Sequence, residues 1–394
     1  MSLSERRVLL AVLGALTFAS VYATVVIAPV LTQIAGEFDI STGTAGLLVA
    51  AYGAPGILVS LLIGPYSDRF GRKRFLIAGS ACMGLFTLLA SFATSFPALI
   101  ALRVVAGVGA ALIFPNVSAM VGDNFPYRDR GRAMSTVIGF NTMASVIGVP
   151  SAGIIAEATS WRVSLALVGS LCLAASLLLY FLLRPAQVHV SAGKFFELYR
   201  GIFRSSSAVA AVISSFLGSL YWFAWSTYIV VFFESVYGLT RGTASTFALT
   251  LGLGVLIGSQ AGGRLGDRVG HKPVVASAIV ISAVLLLLLT NTNLPLAAGA
   301  ALNLLLSTVI GARFATNQTL MTEQMPASRG TLLALSSSTI GLAIVLAASL
   351  GGVLIDSFGF RAVGVFCFVA AVCSALIVVT FVREEPIDIE IVPA

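Results

Sequence analysis

Twelve mostly apolar stretches, each about as long as the roughly 20 residues a helix needs to cross a bilayer, recur along the chain. They fall near 8–33, 43–66, 74–94, 98–121, 132–156 and 161–183, then near 207–233, 243–265, 272–291, 294–322, 331–355 and 360–382. In water so much apolar surface would aggregate. In lipid every backbone polar group must be satisfied within the chain, and helices do this segment by segment. Composition agrees: 58% of residues are hydrophobic and 10% charged, against about 25% charged in soluble domains. The expected fold class is an all-α membrane protein of twelve transmembrane helices, numbered here span 1 to span 12. Met1–Arg7 and the apolar run after it imitate a signal peptide, but no small-residue cleavage site stands out, so the run is read as a retained first span.

The formal net charge is +7. In a soluble chain that excess would suggest nucleic acid, but here the basic residues sit in short loops, where they report topology. With both termini on one side, that side holds eighteen basic residues, Arg6, Arg7, Arg72, Lys73 and Arg74 among them. The other side holds three, Arg162, Arg241 and Arg361. Basic loops favour the cytoplasm, so both termini are expected there, and no nucleic-acid partner is expected. Cys82, Cys172, Cys367 and Cys373 lie in apolar segments without ligand spacing, and the chain has two His. No metal site is expected.

The first six spans correspond to the last six. Gly64 and Gly263, Asp68 and Asp267, Arg69 and Arg268, Gly71 and Gly270, and Lys73 and Lys272 are each 199 apart (267 − 68 = 199). So are Arg130 and Arg329, Gly153 and Gly352, Glu157 and Asp356, and Arg162 and Arg361. A register kept across loops and spans implies duplication of a six-helix unit. Parallel repeats of this kind hold their substrate at the repeat interface near mid-membrane. The expected organisation is a six-helix bundle at 1–183, a linker at 184–206, a second, pseudo-symmetric bundle at 207–383 and a tail at 384–394.

Gly64-Pro-Tyr-Ser-Asp68-Arg69-Phe-Gly71-Arg72-Lys73-Arg74 resembles the loop 2–3 signature of the major facilitator superfamily, and Gly263 to Lys272 resembles a second copy. Arg103-Val-Val-Ala-Gly107-Val-Gly109 is similar to the family's span-4 motif. The resemblance covers the whole chain and points to the twelve-span drug:proton antiporters and sugar-efflux permeases. It implies the major facilitator fold, a bacterial plasma (inner) membrane setting and a chain working as a monomer in the lipid bilayer. Gly148-Val-Pro150-Ser-Ala-Gly153 resembles the antiporter Gly-Pro motif, with Val149 and Ile154 in place of two of its glycines.

Asp68 stands near the C-terminal end of span 2, where the helix dipole disfavours an acid. The resemblance suggests as its partner the start of span 11 near Gly330, and by symmetry puts Asp267 at the start of span 5 near Gly131. Asp123, at the end of span 4, is expected to pair with Arg72. Asp68, Arg69, Arg72, Asp123, Asp267 and Arg268 thus form an expected latch on the cytoplasmic side. Arg103 lies well inside span 4, at a cost of at least about 2.5–3.5 kcal/mol, and such residues face an interior. The resemblance implicates it in proton coupling.

Arg313 has no counterpart at the repeat offset and is read as substrate-related, with Asn317 one turn on and Asn303 further along the helix. Tyr221, Trp222, Trp225 and Tyr228 of span 7 carry polar handles that suit a cavity for amphipathic or sugar-like ligands, with plain core as the equal alternative. Tyr22 and Asn141 join the cavity set. The resemblance places spans 1, 4, 7 and 10 around that cavity. Span 1 holds no acid within it and both embedded charges are positive, so a neutral or anionic solute fits better than a cation.

No nucleotide-phosphate loop, metal cluster or nucleophile–base pair is present, so an enzyme is not expected. The expectation is a secondary transporter exporting a small organic solute by alternating access, with a proton gradient as energy source and no cofactor. An importer or facilitator of a small polar or anionic solute, and a non-transporting membrane sensor, stay open.

Overall fold

The structure, a computed structural model, describes residues 3–182, 201–325 and 329–384, apart from the side chains of residues 3, 4, 60, 61, 64–66, 68, 69, 127, 128, 329 and 330. Most of the expected 184–206 linker, and the tail beyond Glu384, lie outside the described residues. Among the described residues the elements are helical, and twelve spans are long and apolar enough to cross a membrane. Spans 1 to 6 are Glu5–Glu37, Thr42–Val59, Arg72–Ala90, Phe96–Asn124, Asp129–Ala158 and Trp161–Leu182. Spans 7 to 12 are Ser206–Tyr237, Arg241–Val269, His271–Asn291, Leu296–Gln324, Thr331–Phe358 and Phe360–Phe381. The span 2 helix itself continues to Phe70.

Local chemistry sets the ends of these helices. Ser41 caps span 2, its Oγ accepting the Thr44 amide at 3.0 Å. Gly71 then turns the chain into span 3 at φ 92°, and its repeat partner Gly270 turns span 8 into span 9 at φ 98°. A side chain is disfavoured in that region, so glycine lets one span follow another without a loop. Span 1 breaks between Val25 and Leu31 around Pro29, which has no amide to donate. Spans 4 and 8 are also each two helices, meeting at Leu112 and at Ala248.

Two apolar cores form. One gathers residues from Leu9 to Leu179 with Tyr228 and Val231, and the other gathers Ile202 to Val382 with Val149. Large apolar side chains such as Leu177, Phe181, Val353 and Leu376 remain exposed on the outside, as a lipid-facing surface requires.

Two seams join the halves, spans 2 and 11 and spans 5 and 8, and the repeat converts one into the other. At the end away from the basic loops, here the far end, both seams are tight: Gly43 lies against Gly352, and Gly153 against Ser245. Toward the basic end, a Cβ added at Gly131 or Gly139 of span 5, or at Gly263 of span 8, would meet nothing within 4 Å. These three positions face open space. Spans 2 and 11 stay together as far as Ile57, whose carbonyl accepts the Ser338 hydroxyl.

Candidate substrate cavity and gates

A cavity of about 360 Å³ lies between the halves. Its walls come from Val21, Thr24, Val25 and Ala28 of span 1, Asn141, Thr142, Ser145 and Val149 of span 5, and Trp222, Phe223, Ser226 and Thr227 of span 7. Leu251, Gly252 and Val255 of span 8, with Phe314 of span 10, complete most of the far wall. Residues four apart, such as Asn141 and Ser145 or Trp222 and Ser226, share a helix face, which is why they reach the cavity together. No Asp, Glu, Lys or Arg is among the described residues that line it. The surface is apolar and aromatic with a scatter of small hydroxyls.

Of the expected cavity residues, Asn141 and Trp222 line it, and the Trp222 ring meets Phe314 edge-on at 6.3 Å. Most of the other polar handles are used within the protein in this conformation, while Tyr221 presents its ring to Arg313. Trp225 Nε1 donates to Asn303 Oδ1 at 2.9 Å, and Asn303 Nδ2 donates to Thr250 Oγ1 at 2.7 Å, tying spans 7, 10 and 8 together. Asn317 Nδ2 donates to Ser215 Oγ at 3.3 Å. Tyr228 Oη donates to the Ala348 carbonyl at 2.6 Å, and Tyr22 Oη pairs with Ser151 Oγ at 2.7 Å. A buried donor left without a partner is costly, so these large polar residues brace the helix packing. Thr24, Thr142, Ser145, Ser226, Thr227 and Phe314 line the cavity and were not singled out from sequence. For Ser145 and Ser226 a faint signal was their four-residue spacing from Asn141 and Trp222.

The two embedded arginines also sit behind the walls. Arg103 is fully buried, stacked 4.0 Å from the Tyr52 ring, with Nη1 donating to the Ala23 carbonyl at 3.2 Å. Arg313 is 1% exposed and lies over Phe314 at 4.6 Å and Tyr221 at 5.6 Å. Each belongs to the fourth span of its half and packs on a tyrosine. A cysteine of the sixth span completes each cluster: Cys172 Sγ donates to the Ala19 carbonyl and Cys367 Sγ to the Tyr221 carbonyl. Arg313 has no counterpart at the 199 offset, where the first half carries Phe114. The reading of it as a cavity-lining residue is corrected, since it packs over Phe314, which lines the wall in its place. The face of an aromatic ring can hold a desolvated guanidinium, and that is where both guanidinium groups lie.

At the basic end Arg72 Nη1 stands 2.6 Å from Asp123 Oδ2. The Asp68 and Arg69 side chains, and the Gly330 position expected to receive Asp68, lie outside the described side chains. Asp267 and Arg268 are exposed. Gly131 faces open space, and among the described residues no contact joins it to Asp267.

The far end is closed by carboxylates. Asp356 of span 11 accepts the Gly43 amide at 3.1 Å and the Ser41 hydroxyl at 2.6 Å, at the start of span 2. Glu157 of span 5 accepts the Gly242 amide at the start of span 8. Both acids and both glycines are repeat pairs (356 − 157 = 199 and 242 − 43 = 199).

Comparison with known proteins places this architecture. The sequence profile described as Major Facilitator Superfamily matches residues 13–262 and 241–393. The chain is 26% identical over 339 residues to the MFS-type transporter YceJ of Bacillus subtilis (strain 168), covering 85% of this chain and 86% of that one. It is 24% identical to Multidrug resistance protein 2 of the same organism, covering 72% and 73%. A bacterial homolog of the human lysosomal transporter Spinster, solved inward-facing and unoccupied, superposes with a TM-score of 0.82 at 17% identity, covering 98% of this chain and all of that one.

Proposed function

The chain belongs to the Major Facilitator Superfamily, and from that premise we propose that it exports a small amphipathic solute, neutral or anionic, in exchange for protons. Transport of a small solute across a bacterial inner membrane follows from the family and the twelve spans. Direction, coupling and solute charge are our reading. We place the basic end in the cytoplasm, on the charge bias of the loops, so the far end is the outer end and the cavity belongs to an inward-facing carrier. The drug-resistance relative supports export.

The observation that carries the solute class is the cavity wall, which offers aromatic rings and hydroxyls and no carboxylate. A lipophilic cation finds no counter-ion there. Arg313 lies one ring thickness behind, stacked on Phe314. For a solute about 8 Å away in an effective dielectric of about 20, that charge is worth about 2 kcal/mol in favour of an anion. Asn141 and Trp222 orient the solute. Arg72 with Asp123, and Asp68 and Asp267 when the basic end closes, hold the inner gate. Arg103 takes part in coupling through the helices it braces.

The test is transport in reconstituted vesicles with and without a pH gradient, comparing neutral, anionic and lipophilic cationic aromatic probes. Gradient-driven movement of neutral or anionic probes supports the reading. Saturable preference for the cations overturns the solute class, and indifference to the gradient overturns the coupling.

A further inference from the structure

The second half carries a crevice at a place where the first half carries bulk. At the basic end, span 9 starts beside the end of span 12, and the two spans pack together. Lys272, Ala276, Val379, Thr380, Arg383 and Glu384 are among the residues lining a crevice of about 550 Å³ there. At the repeat offset the first half has Ile77, Tyr180 and Phe181 in place of Ala276, Val379 and Thr380 (276 − 77 = 199, 379 − 180 = 199 and 380 − 181 = 199). The Tyr180 and Phe181 rings meet edge-on at 5.1 Å, and Lys73 Nζ lies 5.8 Å from the centre of the Tyr180 ring. Lys73 Nζ donates to the Tyr180 carbonyl and Lys272 Nζ to the Val379 carbonyl, each at 3.0 Å. Both halves therefore build the same corner, surrounded by aromatic rings in one and by small side chains in the other.

The backbone of the second corner is anchored. The Arg383 amide donates to Ser207 Oγ of span 7 at 2.8 Å, and its carbonyl accepts Gln324 Nε2 of span 10 at 2.9 Å. Glu384 accepts the His271 and Lys272 amides at the start of span 9, the second at 3.0 Å. Its carboxylate is thus engaged, and two cations against one carboxylate leave one positive charge on the lining. Arg383 is exposed, and an ammonium has three donors, of which Lys272 spends one on Val379. Further into the spans the surface is apolar: Val280, one turn past Ala276, and Leu376, one turn before Thr380, are 51% and 59% exposed. A positive corner over an apolar groove at the membrane face fits a molecule with an anionic head and apolar chains, and basic pockets between spans take such lipid headgroups. We propose that this crevice binds an anionic glycerophospholipid, with Arg383 and Lys272 holding its phosphate and an acyl chain lying along Val280 and Leu376. A soluble phosphate ester shares the head but leaves the groove uncovered, which favours the lipid. The inference goes beyond the transport reading, and its readout needs no transported solute.

The experiment titrates the full chain in detergent with phosphatidylglycerol and, separately, with phosphatidylcholine of the same acyl chains, and counts bound lipid by native mass spectrometry. The wild type is expected to hold one phosphatidylglycerol at least about fivefold more tightly than phosphatidylcholine, and Arg383→Gln to lose about that factor, the worth of one basic residue at a membrane surface. Val379→Tyr with Thr380→Phe, at two exposed positions, keeps every charge, copies the first half and abolishes the preference. Arg74→Gln, at an exposed position of the first half, keeps the preference. Glycerol phosphate in the buffer leaves the lipid bound. Equal affinity for the two lipids, a preference that survives in the filled variant, an equal loss in Arg74→Gln, or displacement by glycerol phosphate overturns the proposal.

Discussion

Asp356 Oδ1 accepts the Gly43 amide at 3.1 Å, from span 11 of one half to the first turn of span 2 in the other. The repeat image of this contact joins Glu157 to Gly242. A helix start carries unpaired amides and the positive end of the dipole, and a carboxylate answers both. A duplicated six-helix unit therefore closes its far end twice with the same chemistry, each half capping the other.

Removing one cap loosens that closure. Asp356→Ala costs about 0.5–2 kcal/mol, the usual range for a lost helix cap, which is about two- to thirtyfold in the closed-to-open ratio. Distances between labels across spans 2 and 11 read this directly, and an unchanged ratio would contradict it.

A side chain in the seam acts more strongly. A Cβ at Gly352 would stand 2.7 Å from both Gly43 Cα and Tyr228 Oη. Gly352→Val is expected to fold, to be held open on the outer side and to lose net transport. Outer-side accessibility of a cysteine placed in the cavity checks this, and normal turnover would contradict it.

The two tryptophans of span 7 separate binding from stability. Trp222 faces the cavity, so Trp222→Ala raises KM with a modest loss of stability. Trp225 is buried and bonded to Asn303, so Trp225→Ala costs about 3–5 kcal/mol and lowers Tm sharply. Thermal unfolding in detergent beside vesicle kinetics distinguishes them, and equal effects in both assays would contradict the assignment.

Arg313 is expected to tune selectivity from behind the wall. Arg313→Met removes the charge and keeps an apolar stem, and Phe314 still closes the cavity. Neutral solutes keep their transport rate while anions lose up to about thirtyfold in KM, the equivalent of about 2 kcal/mol. Equal loss for both classes would mark Arg313 as a brace alone.

Sequence shows the fold because hydropathy and charge segregation are properties of whole spans, and the 199 offset survives at glycines and charges near the span ends. The cavity is less legible. Large polar residues such as Trp225, Tyr228 and Asn303 stand out in a sequence, but in a dry bundle each must find a partner, and the packing supplies one. Residues small enough to leave space, Thr24, Ser145 and Ser226, carry no conspicuous signal. The break at Leu112 is signalled by Pro115, which has no amide to return to Ala111, whereas the break at Ala248 is silent, with neither proline nor glycine at the joint. Glu157 and Asp356 were visible as a repeat pair, but their glycine partners appear only when the halves are brought together.

The central claim is a proton-coupled exporter whose cavity lacks an acid. Vesicles with the basic end inward, an imposed inside-alkaline or inside-acid pH gradient, and matched anionic, neutral and lipophilic-cation probes test it most directly. The account predicts that anionic or neutral probes leave against their gradient only when protons can flow inward, with the cation left behind. Saturable, gradient-driven export of the cation in preference to the others would contradict it.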